Sequence, residues 1–154
     1  MPFLIHINYQ MERNGIPIPA RFKDWAQTAL RCARRRVGEL SIVLVDEVEG
    51  RAINLQYRGR DDATNVLSFP IELGHHVRSA LLGDLIICVP VIAREADEQN
   101  KKPADHYAHM VVHGTLHLLG YDHIEDAEAK AMETLETRIL AKFGIADPYS
   151  EREA

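Results

Sequence analysis

The sequence predicts an α+β fold in which a mixed four-stranded sheet, with one antiparallel strand, packs against about five helices. Short apolar or β-branched runs alternate with longer segments of helical spacing, in the order β-α-β-α-β-β-α-α-α. Only the third and fourth strands follow one another directly, which predicts that they form the antiparallel pair. The 154 residues fit a single domain, 1–154, in which residues 146–154 are expected to be a frayed tail.

The amino-terminal half predicts two strands and two helices. Residues 3–8 are short and apolar, which is typical of a strand. Apolar residues then recur at helical spacing in a segment expected to end at Gly38. Residues 40–45 form a β-branched run of strand length, and Asp46 is a candidate cap for a helix that stops before Gly59.

The carboxyl-terminal half predicts two strands and then three helices. The expected ranges are 65–71 and 84–89 for the strands, and 90–99, 103–119 and 126–143 for the helices. Proline opens the first two of these helices, where its missing N–H costs nothing, and Asp126 is a candidate cap for the last.

Composition limits the classes of function. A formal net charge of -5 and a pI near 5.9 argue against a protein that coats nucleic acid non-specifically. The arginines at 31, 34, 35 and 36 are interpreted equally well as a helix end that complements the dipole and as a functional patch. No membrane partner is expected, since no apolar run approaches twenty residues. No nucleotide cofactor is expected either. Two cysteines, interpreted as reduced core thiols, indicate a cytoplasmic location.

Three histidines form the most informative pattern in the chain. His113 and His117 are four residues apart, so on a helix both rings can face one metal ion. Gly120 ends the helix, and the turn can return His123 as a third ligand. Three imidazoles with a fourth position open to water describe a catalytic zinc site better than a structural one.

Gly114 distinguishes a metalloprotease from a hydrolase that works without a glutamate base at this position. The frame H-x-x-x-H-x-x-G-x-x-H occurs in metzincin metalloproteases, which carry a glutamate general base directly after the first histidine. This chain has Gly114 there, so a metalloprotease is the less favoured enzyme.

Other polar residues near the pattern are assigned supporting roles. His106 and His109 share the helix side of His113 and His117, because the separations are three, four and four residues. We expect His109 either to support a metal ligand through hydrogen bonding or to face the substrate, and His106 to be exposed. Asp122 is a candidate hydrogen-bond partner of a ligand imidazole, although a role in the turn is equally plausible.

The chain resembles the YbeY-type endoribonucleases, the bacterial rRNA maturation factors. The resemblance rests on residues 54–70 (NLQYRGRDDATNVLSFP), residues 82–87 (LGDLII) and the histidine pattern, in that order, and spans roughly residues 40 to 140. One departure is Ala63, where family members commonly have proline, and we expect it to affect the stiffness of a turn more than the chemistry.

The resemblance implies one zinc ion held by His113, His117 and His123, and an arginine, Arg58, that is needed for activity. It implies cleavage of single-stranded RNA, maturation of the 3′ end of 16S rRNA, late-stage quality control of 70S ribosomes, and partners among the ribosome, the small subunit and assembly proteins. Phosphodiester cleavage can proceed without a peptidase glutamate if metal and guanidinium neutralise the phosphate. Asp84 and His109 are candidates for proton transfer.

A non-enzymatic alternative stays open at this point. The same histidines are compatible with a ribosome-assembly factor whose metal chiefly stabilises the fold. For Arg58, taken without the resemblance, an interaction with the end of the helix dipole is the favoured interpretation.

Overall fold

Each strand and helix expected from the sequence is present in the computed structural model, which describes residues 2–71, 80–122 and 125–149. The strands are β1 (Phe3–Tyr9), β2 (Gly38–Val45), β3 (Val66–Pro70) and β4 (Leu81–Cys88). The helices are α1 (Pro19–Cys32), α2 (Glu47–Arg58), α3 (Val89–Glu98), α4 (Pro103–Leu118) and α5 (Asp126–Ala141).

The four strands form one mixed sheet in the order β1-β2-β4-β3. Strand β2 pairs in parallel with β1 and with β4, and β3 alone runs antiparallel, with Val66 opposite Ile87 and Pro70 opposite Gly83. The predicted fold class is therefore confirmed. Helix α4 packs against β3. Because β3 is an edge strand, this part of α4 lies at the edge of the sheet.

Helices cover both faces of the sheet. On one face, α1 and α4 build the larger core, in which Phe22 meets Trp25 and Tyr107 edge to face at centroid distances of 5.4 and 5.7 Å. On the other face, Val45 and Cys88 form a smaller cluster. Helix α2 approaches closely there, because a Cβ added at Gly50 would lie 3.1 Å from Cys88 Sγ.

Helix α1 ends six residues before the predicted position at Gly38. Arg34 adopts the left-handed conformation with φ of 64°, and the amide of Arg35 donates to Leu30 O at 2.9 Å, which closes the helix. The prediction was wrong because Val37, counted in the apolar stripe, is 49% exposed and lies outside the helix. Of the arginine cluster, only Arg31 is in the last turn of α1.

The last helix also differs slightly from the prediction. Helix α5 begins at Asp126, but the N-cap position belongs to Glu125, and no side chain caps the helix. The helix ends at Ala141 rather than Phe143. Beyond it, Tyr149, in the segment expected to fray, donates a hydrogen bond from its hydroxyl to Glu136 at 2.7 Å.

Two further observations concern the chemical environment. Cys32 and Cys88 are both free thiols, the first half-buried and the second buried, and burial raises the pKa of Cys88. Within the described ranges, no helix combines the length and the apolar character needed to cross a membrane.

Candidate metal centre

Helix α4 carries a row of four histidines. His106, His109, His113 and His117 lie on one side, with centroid distances between successive rings of 6.2, 6.1 and 4.6 Å. The opposite side is apolar and faces α1 and the sheet, because the intervening residues are hydrophobic. The predicted sharing of one helix side is therefore observed.

The two carboxyl-terminal histidines of the row converge. His113 Nε2 and His117 Nε2 are 3.1 Å apart. Two nitrogens that each lie about 2.05 Å from a tetrahedral zinc ion are separated by about 3.3 Å. The observed separation of the two imidazole nitrogens is close to this value. His123, the third predicted ligand, lies outside the described residues.

A buried carboxylate fixes the orientation of His113. Glu136, on α5, is fully buried and its Oε1 lies 3.1 Å from His113 Nδ1. Burial alone raises the pKa of Glu136, but hydrogen bonds from His109, His113 and Tyr149 together lower this pKa to about 2. Because a carboxylate only accepts, Nδ1 of His113 carries the hydrogen. Its Nε2 lone pair is then directed toward His117.

The same carboxylate also binds His109. Its Oε2 lies 2.9 Å from His109 Nε2, and burial is the main reason why the pKa of His109 is lowered. The ring is therefore neutral and donates its N–H to Glu136. The candidate ligand atoms of His109, His113 and Glu136 lie within 4.8 Å of one another, so this group can hold a metal ion.

Glu136 and Tyr149 were missed by the sequence analysis. Glu136 follows the histidine pattern by more than a dozen residues on a different helix, among other acidic residues of the same region. Only the docking of α5 against α4 brings it to His113. One signal was available: a glutamate at an inward position of an amphipathic helix, between Met132 and Ile139, which are both fully buried.

Arg58 meets the histidine pair in a cavity of about 530 Å³. The cavity is lined by Arg58, Asn65, Val66, Ser68, Pro70, His113, His117 and Asp122. Arg58 is the last residue of α2, which stops there because Gly59 adopts the left-handed conformation with φ of 71°. A cation, two imidazoles and a carboxylate therefore share one cleft beside the edge strand β3.

Gly114 is required by the packing of α4 on the sheet. A Cβ added there would lie 2.8 Å from Leu85 Cδ2, closer than real carbon atoms approach. Ser68 Oγ, on β3, also donates a weak hydrogen bond to Gly114 O at 3.4 Å. A glutamate at this position would require the side chain of Leu85 to move.

The amino-terminal half of the row is buried. His106 is 2% exposed, and its Nε2 lies 2.8 Å from Glu95 Oε1 on α3. The expectation that His106 is exposed was wrong, because α3 packs against this part of α4 and supplies the carboxylate. Asn65 donates to the same Glu95 at 3.1 Å.

Asp84 lies apart from these groups. Its neighbour Leu85 faces Gly114 on α4, and successive strand residues point to opposite faces of a sheet. Asp84 is exposed on the other face and does not line the cleft with Arg58.

Comparisons with known proteins place this geometry in a family. A family model described as Endoribonuclease YbeY matches residues 7–144. Proteins named Endoribonuclease YbeY from Stenotrophomonas maltophilia and Xanthomonas oryzae pv. oryzae are each 53% identical over 150 residues, which is 95% of this chain and 92% of each relative. The solution structure of TM1509 from Thermotoga maritima has a similar fold, with a TM-score of 0.63, 24% identity, and coverage of 97% of this chain and 92% of that chain. This chain therefore belongs to the endoribonuclease YbeY family.

Proposed function

We propose that this protein is a cytoplasmic, zinc-dependent endoribonuclease that cleaves single-stranded RNA. Its proposed roles are maturation of the 3′ end of 16S rRNA and quality control of 70S ribosomes, with the small subunit and its assembly proteins as partners. Family membership supports an RNA substrate. The observation that carries the proposal is the cavity in which Arg58 shares one cleft with His113 and His117.

The proposed ligands of a single zinc ion are His113, His117 and His123. The 3.1 Å separation of the first two Nε2 atoms fits this assignment. Bound zinc supplies Lewis-acid chemistry, polarising a phosphoryl oxygen or acidifying a water molecule. Glu136 is assigned as a positioning residue, because its carboxylate holds the hydrogen of His113 at Nδ1 and leaves Nε2 for the metal.

Arg58 is the proposed phosphate-binding residue. A guanidinium presents two parallel N–H groups to two oxygens of a phosphate, which fixes the orientation of the diester as well as its charge. Asp122 lines the same cleft and is a candidate to orient a ligand imidazole. His109 supports the site through Glu136 rather than facing the phosphate directly.

The role of Arg58 is tested by kinetics of Arg58→Ala and Arg58→Lys on single-stranded RNA. We expect both variants to lower kcat, because a lysine provides charge without the two-pronged contact. A loss confined to RNA affinity, or no loss, would remove the transition-state role.

The proposed function competes with two others. A metalloprotease is disfavoured because Gly114 stands where those enzymes carry the glutamate base, and a peptide-cleavage assay on zinc-loaded protein tests it. In the non-enzymatic alternative, the metal only stabilises an assembly factor.

One paired experiment separates enzyme from assembly factor. His113→Ala is compared with His6→Ala, a substitution of an exposed histidine on β1 bonded only to Glu39 in the described hydrogen-bond network. The enzyme hypothesis expects His113→Ala to remain folded by circular dichroism while 16S 3′-end processing is lost in cells. An assembly factor instead shows a lowered Tm for His113→Ala with processing preserved.

A further inference from the structure

A second cavity lies beside the amino-terminal half of the histidine row. Its volume is about 700 Å³, and its walls come from the end of α3, the first turns of α4 and the segment 145–149. His106 and His109 line it, whereas His113 and His117 line the first cavity. This volume lies within the range of pockets that enclose a ligand of mononucleotide size.

The groups around this cavity suit a nucleobase better than a bare anion. Gln99 and Asn100 offer amides that both donate and accept, and Asp105 offers an acceptor. Lys101 and Lys102 place positive charge at the same wall. Amides and carboxylates pair with base edges, and lysine pairs with phosphate.

Tyr149 adds an aromatic ring to this wall. The ring lies edge to face against His109, with a centroid distance of 5.6 Å, and its hydroxyl is anchored on Glu136. The ring is only partly buried and lines the cavity. Stacking on such a ring is a common way to hold an unpaired base.

One polar residue with a fixed orientation lies between the two cavities. Asn65 lines both of them. Its Oδ1 accepts from the amide of Val66 at 2.7 Å, and its Nδ2 donates to Glu95 at 3.1 Å. His106 Nε2 lies 2.8 Å from the same oxygen, Glu95 Oε1. Asn65 is therefore oriented before any ligand arrives.

Successive histidines of α4 line the two cavities, His109 the second and His113 the first. His109 and His113 are four residues apart on α4, which is about 6 Å along the helix axis. This separation is comparable to one nucleotide of an extended strand. A strand whose phosphate lies beside Arg58 can therefore extend toward the second cavity, because Asn65 lines both cavities.

We propose that the second cavity binds the nucleotide that flanks the cleaved phosphate, with its base between Tyr149 and the amides of Gln99 and Asn100, and its phosphate toward Lys101 and Lys102. This inference rests on the proposed RNA-cleaving function and extends it to the same groove.

Steady-state cleavage tests the proposal. The double variant Lys101→Ala/Lys102→Ala is compared with Lys23→Ala/Lys142→Ala, which removes the same charge from exposed positions that do not line the cavity. Substrates are a single-stranded oligoribonucleotide and bis(p-nitrophenyl) phosphate, a diester without a flanking nucleotide. We expect the ratio of kcat/KM for RNA to that for the small diester to fall roughly tenfold in the first variant only. An unchanged ratio, or an equal fall in the control, overturns the proposal.

A binding measurement keeps this inference separate from the proposed function. Adenosine 5′-monophosphate and cytidine 5′-monophosphate are titrated into the full chain, followed by NMR. We expect saturable shifts at the amides of residues 99–102 and at the Tyr149 ring, which inorganic phosphate does not reproduce. Such shifts in a protein that cleaves no RNA support the pocket and reject the nuclease. Cleavage of RNA without these shifts, or equal shifts from phosphate, rejects the pocket.

Discussion

The two halves of the histidine row on α4 have the same residue type and the same spacing, yet different surroundings. His106 and His109 are buried, and each is paired with a carboxylate from another helix, Glu95 or Glu136. His113 and His117 face a cleft and approach each other at Nε2. Spacing therefore decides which side of the helix a histidine occupies. The elements packed against that side decide whether it is structural or available to a metal.

The largest effect is expected from a substitution in the cleft-facing half of the row, which consists of His113 and His117. His117→Ala removes one of two converging nitrogens, and we expect metal content to be lost and RNA cleavage to fall by roughly 100-fold or more. The Tm in the presence of a chelator is expected to change little, because His117 is only partly buried. Metal analysis, cleavage kinetics and thermal unfolding of the same preparations provide the measurement.

His106→Ala is the matched substitution in the buried half. It leaves the carboxylate of Glu95 without its histidine partner, and we expect a loss of about 1–3 kcal/mol in the free energy of unfolding with metal content retained. If His106→Ala lost the metal and His117→Ala kept it, the division of the row into two halves would be wrong.

The next effect concerns Glu136, which contacts both halves. Glu136→Gln keeps the shape of the side chain but removes the charge that receives the N–H of His113. We expect affinity for zinc to fall by about 10- to 100-fold, measured by competition with a chromophoric chelator. Glu128→Gln, an exposed substitution on the same helix, is the control and is expected to leave zinc affinity unchanged.

X-ray absorption of the zinc-loaded protein sharpens this test, because His109, His113 and Glu136 also form a group able to hold a metal. Coordination by imidazole nitrogens without a carboxylate oxygen supports the positioning role of Glu136. A carboxylate oxygen that disappears in Glu136→Gln shows instead that Glu136 is a ligand.

The part of this site predictable from sequence is the part built by one helix and its neighbours in the chain. The 3.6-residue period placed the four histidines on one side of α4, and alternating apolar runs indicated the mixed sheet. The partners of His106 and His109 were not predictable, because Glu95 and Glu136 arrive through docking of α3 and α5. The early end of α1 was not predictable for a local reason. Arg34 adopts a left-handed conformation that non-glycine residues rarely take.

A smaller effect is expected at Gly114, which lies on the side of α4 that faces the sheet. Gly114→Ala gains about 1 kcal/mol of helix propensity, but its Cβ meets Leu85 Cδ2 at 2.8 Å. Overpacking costs about 1–3 kcal/mol, so we expect a net loss of about 1 kcal/mol in the free energy of unfolding by urea. In the background of Leu85→Val, which removes the contacting atom, Gly114→Ala is expected to cost less. An equal cost in both backgrounds contradicts the steric explanation.

The last effect is a pH dependence in the buried half, of a size similar to that expected for Gly114→Ala. The hydrogen bond from His106 is the largest cause that lowers the pKa of Glu95, opposed by burial and aided by Asn65. A carboxyl group whose pKa is lower in the folded state than its ordinary value of 4.5 stabilises the fold above that pH. This contribution is lost as the pH falls through the folded-state pKa. The informative quantity is the difference between wild type and Glu95→Gln, from which the contributions that both proteins share cancel.

We expect wild type to exceed Glu95→Gln by about 1–2 kcal/mol near pH 6, since a hydrogen bond to a charged group is worth somewhat more than a neutral one. The difference is expected to shrink steadily below pH 4.5, measured by urea unfolding of metal-free protein between pH 3 and pH 6. The corresponding difference for Glu128→Gln, whose side chain is exposed on α5, is expected to stay near zero throughout. A Glu95 difference that is independent of pH would mean that Glu95 stabilises this half of the row by its packing alone. In that case the two halves of the row would differ in how their side chains pack and not in the charge of their carboxylate partners.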